Sequence, residues 1–446
     1  MPTSSRASQR SFRFIHASDF HLDQPLGGLT YLPPALVAPL VEATYKSVDA
    51  VFDAAIRERV EFVVLSGDLI HFPTASPRAI DFLSTQFNRL HAKKIPVYWL
   101  GGKLEAGHGI PNDFRLPKNV HRMPTSRVQT LEVKQNKKTI AHIVGQSSGG
   151  NAYANLEDMR VPRDGRFFVG MWYHEGHDEL PQDQLDELGI DYWAFGGVHQ
   201  RRSLNNLIPA EYCGTPQGRL PSETGPHGCL LVKVTGDDID ETHFIETDTI
   251  RYRTERIEVE HGDDQNKLID RMKSRMQTIR HDVDPKKPIL VTWEVNDDGS
   301  LGRELRQLPA NEAFLETIRR EADSKSQNIH SIALRSLRAS VPSSLFDEDS
   351  ILGDFLRAVR DLQQSGDRTL DVRSYLPDTP AARKLAESLH LDSPVARQQL
   401  LREVTTMGID WLSGGESDAQ TTASSSARGR QQDSNAAVAI RLGDKR

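Results

Sequence analysis

Near its N-terminus the chain reads Phe12-Arg13-Phe14-Ile15-His16-Ala17-Ser18-Asp19-Phe20-His21. The run 12–16 has the apolar, aromatic composition of a buried strand, and it gives way at once to an acid and an imidazole two residues apart. Working outward, short Val-, Ile- and Phe-rich runs recur at 62–65, 97–100, 140–144, 167–172, 192–195 and 229–234, each ending near Gly, Ser or Asp. Between the first two, Val41, Tyr45, Val48, Phe52 and Ile56 fall at steps of three and four, which predicts a helix with one apolar face. Ser76-Pro77 supply an N-cap and a first-turn proline for a second helix carrying Ile80, Leu83, Phe87 and Leu90. Strands alternating with helices predict an α/β layer fold.

Beyond this region the pattern changes. A strand is expected over 242–253, then a helix through Leu268, Met272, Met276 and Ile279, a strand over 288–294 and a helix through Phe314, Leu315 and Ile318. This predicts a small α+β domain over 254–340. Residues 345–412 read as helical, with Ile351, Leu352, Phe355, Leu356 and Val359 on one face and Val395, Leu400, Leu401 and Val404 on another. The polar ends, 1–11 and 413–446, are expected to be disordered, because their composition buries too little apolar surface to offset ordering entropy.

Composition excludes several function classes. The 446 residues carry 55 Lys and Arg against 62 Asp and Glu, a net charge of −7, so the chain lacks the basic footprint of an autonomous nucleic-acid binder. Two cysteines are too few for a disulfide framework, which points to a reducing, cytoplasmic setting. No stretch of about 18 apolar residues occurs, so no membrane association is expected. The sequence contains no phosphate-cradling Gly-x-x-x-x-Gly-Lys loop, no Gly-x-Ser-x-Gly elbow and no His-Glu-x-x-His helix.

What remains is the placement of acids and imidazoles. Asp19 and His21 follow the first strand, Asp68 the second, His174 the strand over 167–172, and His199 the strand over 192–195. Ligands of α/β sheets gather at the carboxyl ends of strands, so these loops can converge although they span about 180 residues of sequence. Mixed carboxylates and imidazoles suit Mn²⁺, Fe²⁺ or Zn²⁺, and Asp68 is placed to bridge two ions about 3.5–4 Å apart. Taken singly, an Asp after a strand is more often a turn or capping residue; the ordered combination is far more specific.

The segment Phe14-Ile15-His16-Ala17-Ser18-Asp19-Phe20-His21-Leu22-Asp23-Gln24-Pro25-Leu26 resembles the opening of the calcineurin-like metallophosphoesterases, in particular their DNA-repair exonuclease branch of the SbcD/YhaO type. Leu65-Ser66-Gly67-Asp68-Leu69-Ile70 is similar to the second motif of that family, and Tyr212-Cys213-Gly214-Thr215-Pro216-Gln217-Gly218-Arg219 to its turn after the last metal motif. The resemblance covers 12–253 and implies a two-layer β-sandwich core flanked by helices, followed by the α+β cap and a helical partner-docking region. It also implies a first metal site made of Asp19, His21, Asp68 and His199.

The second site of such enzymes is depleted here. Lys103 stands where the family has a metal-binding Asn, Leu104 where it has the catalytic His, and Gly197 where it has a second imidazole; Asp68 and His174 remain. Lys103 is expected to pair with Asp68 in place of a lost cation, or else to be a solvated loop lysine. Glu105 and His108 are candidate substitute ligands, and Arg201 and Arg202 beside His199 are candidate phosphate contacts. The resemblance implies two Mn²⁺-type ions where both sites are intact, so with the second site depleted one ion per chain is expected; it also implies DNA ends and a large coiled-coil ATPase subunit as partners, with a homodimer left open. Two readings follow: a phosphodiesterase acting on DNA ends, impaired by these losses, or an inactive relative serving as a scaffold or DNA-binding subunit. A phosphatase for small phosphoesters fits the motif details less well. Restoring Asn, His and His together at 103, 104 and 197 is expected to rebuild the second site.

Overall fold

The computed structural model describes residues 11–412 except 30–33, 107–109, 112–113, 150–154, 177–181, 205–206, 261, 283, 298, 322–327, 339–340, 365–376, 378 and 380–393. The end segments expected to be disordered lie outside the described residues, apart from Ser11, which opens the first strand.

Two six-stranded sheets form the core. The first contains β1 (Ser11–Ala17), β2 (Phe62–Ser66), β3 (Val97–Leu100), β4 (Val120–Arg122), β11 (Gly228–Thr235) and β12 (Asp238–Glu246), in the order β12-β11-β1-β2-β3-β4. The second contains β5 (Gln129–Gln135), β6 (Lys138–Gly145), β7 (Phe168–Tyr173), β8 (Tyr192–Gly196), β9 (Arg202–Leu204) and β10 (Ala210–Tyr212), in the order β5-β6-β7-β8-β10-β9. Alternation along the strands sets the layers. Phe12, Phe14, Phe62 and Val64 face the second sheet and pack with Val169, Met171 and Tyr192, while Ile15, Ala17, Val63 and Leu65 face the helices. Those helices are α1 (Val37–Arg57) and α2 (Pro77–Ala92), and α2 begins with Ser76 accepting the Ala79 N–H ahead of Pro77. On α1 the expected stripe is corrected at its start. Val41 is 61 % exposed, and the buried face begins with Leu40, Ala43 and Thr44. The outer side of the second sheet is covered by a cluster that includes Leu185 and Leu188, at and just beyond α3 (Gln182–Glu187).

Two polar side chains, through three hydrogen bonds, pin the sheets so that β1, β2 and β8 end at the same edge. His16 is fully buried, and desolvation takes its pKa down to about 3, so the ring is neutral. Its Nε2 must donate to the Phe195 carbonyl at 3.1 Å, which leaves Nδ1 to accept from the Tyr192 hydroxyl at 3.0 Å. Alongside it, Ser66 Oγ donates to the Ala194 carbonyl at 3.1 Å.

The single strand expected over 242–253 is two strands in different sheets. β12 ends at Glu246, and β13 (Arg251–Glu258) begins a parallel three-stranded sheet with β14 (Ile289–Asn296) and β15 (Ile329–Leu337). The chain therefore changes sheets at 247–250, ahead of the division expected at 253/254. α4 (Gln265–Asp282), α5 (Ser300–Leu305) and α6 (Leu308–Glu321) cover this sheet through Met272, Met276, Leu305 and Phe314. Leu36, Leu40 and Ala43 meet Ile250, Tyr252 and Leu290, joining the sheet to α1. Finally, α7 (Ile351–Gln364) and α8 (Pro394–Leu412) pack through Leu352, Leu356 and Ile409. Asp410 ties them to the sheet through Arg306 and Arg338.

Tyr192→Phe leaves His16 Nδ1 buried without a partner. It is expected to destabilise the protein by about 1–3 kcal/mol, read as a lower urea midpoint at unchanged slope.

Candidate metal centre

The hydrogen-bond ladder between β1 and β2 continues past the strands. Asp19 N–H donates to Gly67 O, His21 N–H to Asp68 O and Leu22 N–H to Leu69 O, each at 2.9 Å. The continuation forces unusual backbone. Asp19, His21 and Asp68 have φ of +55°, +47° and +52°, a left-handed conformation that non-glycine residues adopt at a cost and that clusters at functional sites.

The result is a compact donor set. Asp19, His21 and His199 each offer a ligand atom, and these atoms lie within 4.8 Å of one another; the Nε2 atoms of the two imidazoles are 3.0 Å apart. Each member is oriented from behind. Ser18 Oγ donates to Asp19 Oδ2 at 2.5 Å, and the Gly197 N–H reaches both Asp19 oxygens at 3.0 and 3.1 Å. His21 Nδ1 meets Gln24 Oε1 at 3.0 Å, and His199 Nδ1 meets Glu223 Oε1 at 2.7 Å, the carboxylate-behind-imidazole arrangement that fixes a ligating ring. One carboxylate and two imidazoles converging on one point fit a divalent ion.

Asp68 is not part of this set. Its Oδ1 accepts the Leu104 N–H and its Oδ2 the Tyr173 hydroxyl, both at 2.8 Å. Lys103 does not pair with it: the ammonium meets Glu175 at 2.8 Å, with the lysine side chain 56 % exposed. Glu105 also lies outside the triad's donor set. It is buried and accepts from the backbone N–H groups of Asp68, Leu69, Ile70 and Gly102 at 2.7–3.1 Å, bolting the 101–105 loop onto the loop after β2. His108 lies outside the described residues. His174 is buried away from the triad's donor set, its Nδ1 accepting the Gly176 N–H at 3.1 Å with the Tyr212 hydroxyl 3.2 Å away.

Arg201 is exposed and stacks on the Phe244 ring at 5.1 Å, and Arg202 is exposed at the start of β9. Among the described residues neither bonds to the triad. At Gly197 φ is +100°, and a Cβ would stand 2.8 Å from the His174 carbonyl oxygen. A histidine there needs the loop to move, so the expected three-residue restoration does not fit this backbone.

The electrostatics of the cluster favour a cation. Burial, reinforced by Asp68, pushes Asp19 up to about 7, and burial pushes Asp68 up to about 6. Burial alone would raise Glu223, but His199 beside it brings the carboxyl down to about 2; burial opposes charge on His199, and Glu223 outweighs it, so that imidazole is raised. Protons therefore compete with a cation, most strongly at Asp19. Lowering the pH from 8 to 6 is expected to weaken Mn²⁺ binding by at least about tenfold in titration calorimetry, because the Asp19 proton is bound at pH 6 and absent at pH 8.

A known family spans the residues of this site. Residues 12–201 match the calcineurin-like phosphoesterase family. Over 237 residues the chain is 37 % identical to the uncharacterized metallophosphoesterase YhaO of Bacillus subtilis (strain 168), covering 51 % of this chain and 58 % of that protein, less than two thirds of its length. Among solved structures, a dimetal phosphatase from Danio rerio aligns at 13 % identity and a TM-score of 0.29, covering 52 % of this chain and 98 % of that one. Residues 12–201, which hold Asp19, His21, Asp68, His174 and His199, are a calcineurin-like metallophosphoesterase domain.

Proposed function

We propose that the chain is a phosphodiester hydrolase of the DNA-end exonuclease branch that holds one Mn²⁺-class ion and has weak catalytic power of its own. The observation that supports this reading is the contrast between the two halves of the site. Asp19, His21 and His199 converge and are oriented from behind, whereas the 101–105 loop presents Leu104 and a Lys103–Glu175 pair. An ion held by the triad would act as a Lewis acid toward a phosphoryl oxygen. Leu104 has no proton to give a departing oxygen, and a missing general acid costs about 10²–10⁴-fold in rate. Arg201 and Arg202, exposed two and three residues after His199, are available to phosphates.

A cytoplasmic setting, DNA as substrate and a large coiled-coil ATPase as partner belong to the same reading. The helical region supports a docking role, since Ile351, Trp411 and Leu412 stay 77, 75 and 42 % exposed. No described helix is long and apolar enough to cross a membrane. The alternative, a non-catalytic scaffold or DNA-binding subunit, is favoured by the same Leu104.

Elemental analysis after dialysis, paired with an Mn²⁺-dependent nuclease assay, tests both. One ion per chain with slow cleavage that Asp19→Ala abolishes is the expected result. One ion with no cleavage supports the scaffold, and two tightly held ions contradict the single-ion site.

A further inference from the structure

We infer that Tyr173 sets the metal content of this site: its hydroxyl stands against Asp68 where a second ion would bind, and so holds the chain to one ion. The inference rests on the single-ion reading above.

Asp68 is buried, and neutral donors of the chain take both of its oxygens, the Leu104 N–H on Oδ1 and the Tyr173 O–H on Oδ2. Hydrogen bonds to a carboxylate stabilise its charged form, so these two donors do part of the work of a neighbouring cation. The backbone is shaped around the tyrosine ring. A Cβ at Gly67 would stand 2.6 Å from Tyr173 Cδ2, and one at Gly102 would stand 2.7 Å from the same atom and 2.4 Å from Asp68 Oδ1. Two glycines on either side of Asp68 thus admit the ring, and Glu105 keeps the Leu104 amide in place by holding Gly102 and the loop after β2 together. His174, the next residue in the chain, is the remaining side chain of a second site, and the tyrosine hydroxyl lies on the Asp68 oxygen it would have to share.

Lys103 is the rival explanation for a one-ion site. Its side chain is more than half exposed and turned to Glu175, so it leaves the space beside Asp68 to the tyrosine.

The test measures Mn²⁺ per chain for the full-length protein, by elemental analysis and by the spin-coupled signal of paired Mn²⁺ ions. Lys103→Asn, which returns an amide ligand and removes the ammonium, is expected to leave the count at one. Lys103→Asn with Tyr173→Phe, which keeps the ring between the glycines and deletes only the hydroxyl, is expected to raise it from one to two. A count of two for Lys103→Asn alone overturns the inference in favour of the lysine, and a count of one for the folded double variant overturns it outright. If the double variant does not fold, the single variant still decides, because the inference requires it to hold one ion. Two ions in the wild type overturn the single-ion reading itself, a result distinct from either.

Discussion

Three backbone hydrogen bonds beyond the ends of β1 and β2 organise this protein. Because Asp19, His21 and Leu22 continue to donate to Gly67, Asp68 and Leu69 after the strands have ended, the two loops cannot diverge. Left-handed turns follow at Asp19, His21 and Asp68, and the paired loops carry these side chains to one edge of the sandwich. The cross-sheet contacts of His16 and Ser66 then deliver the loop after β8, with Gly197 and His199, to the same edge. The strained backbone is tolerated because the core between the sheets is dense, with Phe14 stacked on Phe62 at 4.7 Å and Tyr192 edge-on against Phe14 at 5.4 Å.

At this edge Asp19, His21 and His199 converge as a candidate metal-binding triad, while the 101–105 loop is taken up by contacts within the protein. The triad is backed by Glu223, Gln24 and Ser18, each fixing one ligand. The 101–105 loop, by contrast, acts as a strap. Glu105 gathers four amides, the Leu104 amide and Tyr173 occupy Asp68, and Lys103 is paired at the mouth with Glu175. A buried carboxylate that gathers several N–H groups is costly to disturb, so the strap is structural even where it carries no ligand.

Much of the fold was legible because the central strands are continuous apolar runs with period-two layering and their ends carry punctuation such as Ser66-Gly67-Asp68. Five strands escaped reading: β4, β9 and β10 are three residues each and too short to show a period, whereas β5 (Gln129-Thr130-Leu131-Glu132-Val133-Lys134-Gln135) and β15 (Ile329-His330-Ser331-Ile332-Ala333-Leu334-Arg335-Ser336-Leu337) interleave polar residues and so lack the continuous apolar run of the central strands. The division between β12 and β13 was hidden because both strands read as alternating polar segments, and only pairing distinguishes them. The stripe on α1 was displaced by one position because Ala43, Thr44 and Ser47 are buried without being strongly apolar. In the site, Asp19, His21 and His199 carried a signal through strand-end position. Glu223 and Tyr173 carried none, since one acts through an imidazole 24 residues away and the other sits on a strand that reads as plain core. The roles of Glu105 and Lys103 depend on which way a loop turns, and composition does not encode that.

Asp19, His21 and His199 are expected to hold a single ion jointly at the meeting point of these loops. Anomalous diffraction at the manganese edge, from crystals of the wild-type protein grown with Mn²⁺, tests it most directly. One strong peak within coordination distance of Asp19, His21 Nε2 and His199 Nε2 is expected. A peak bound elsewhere, or a pair of peaks flanking Asp68, would contradict it.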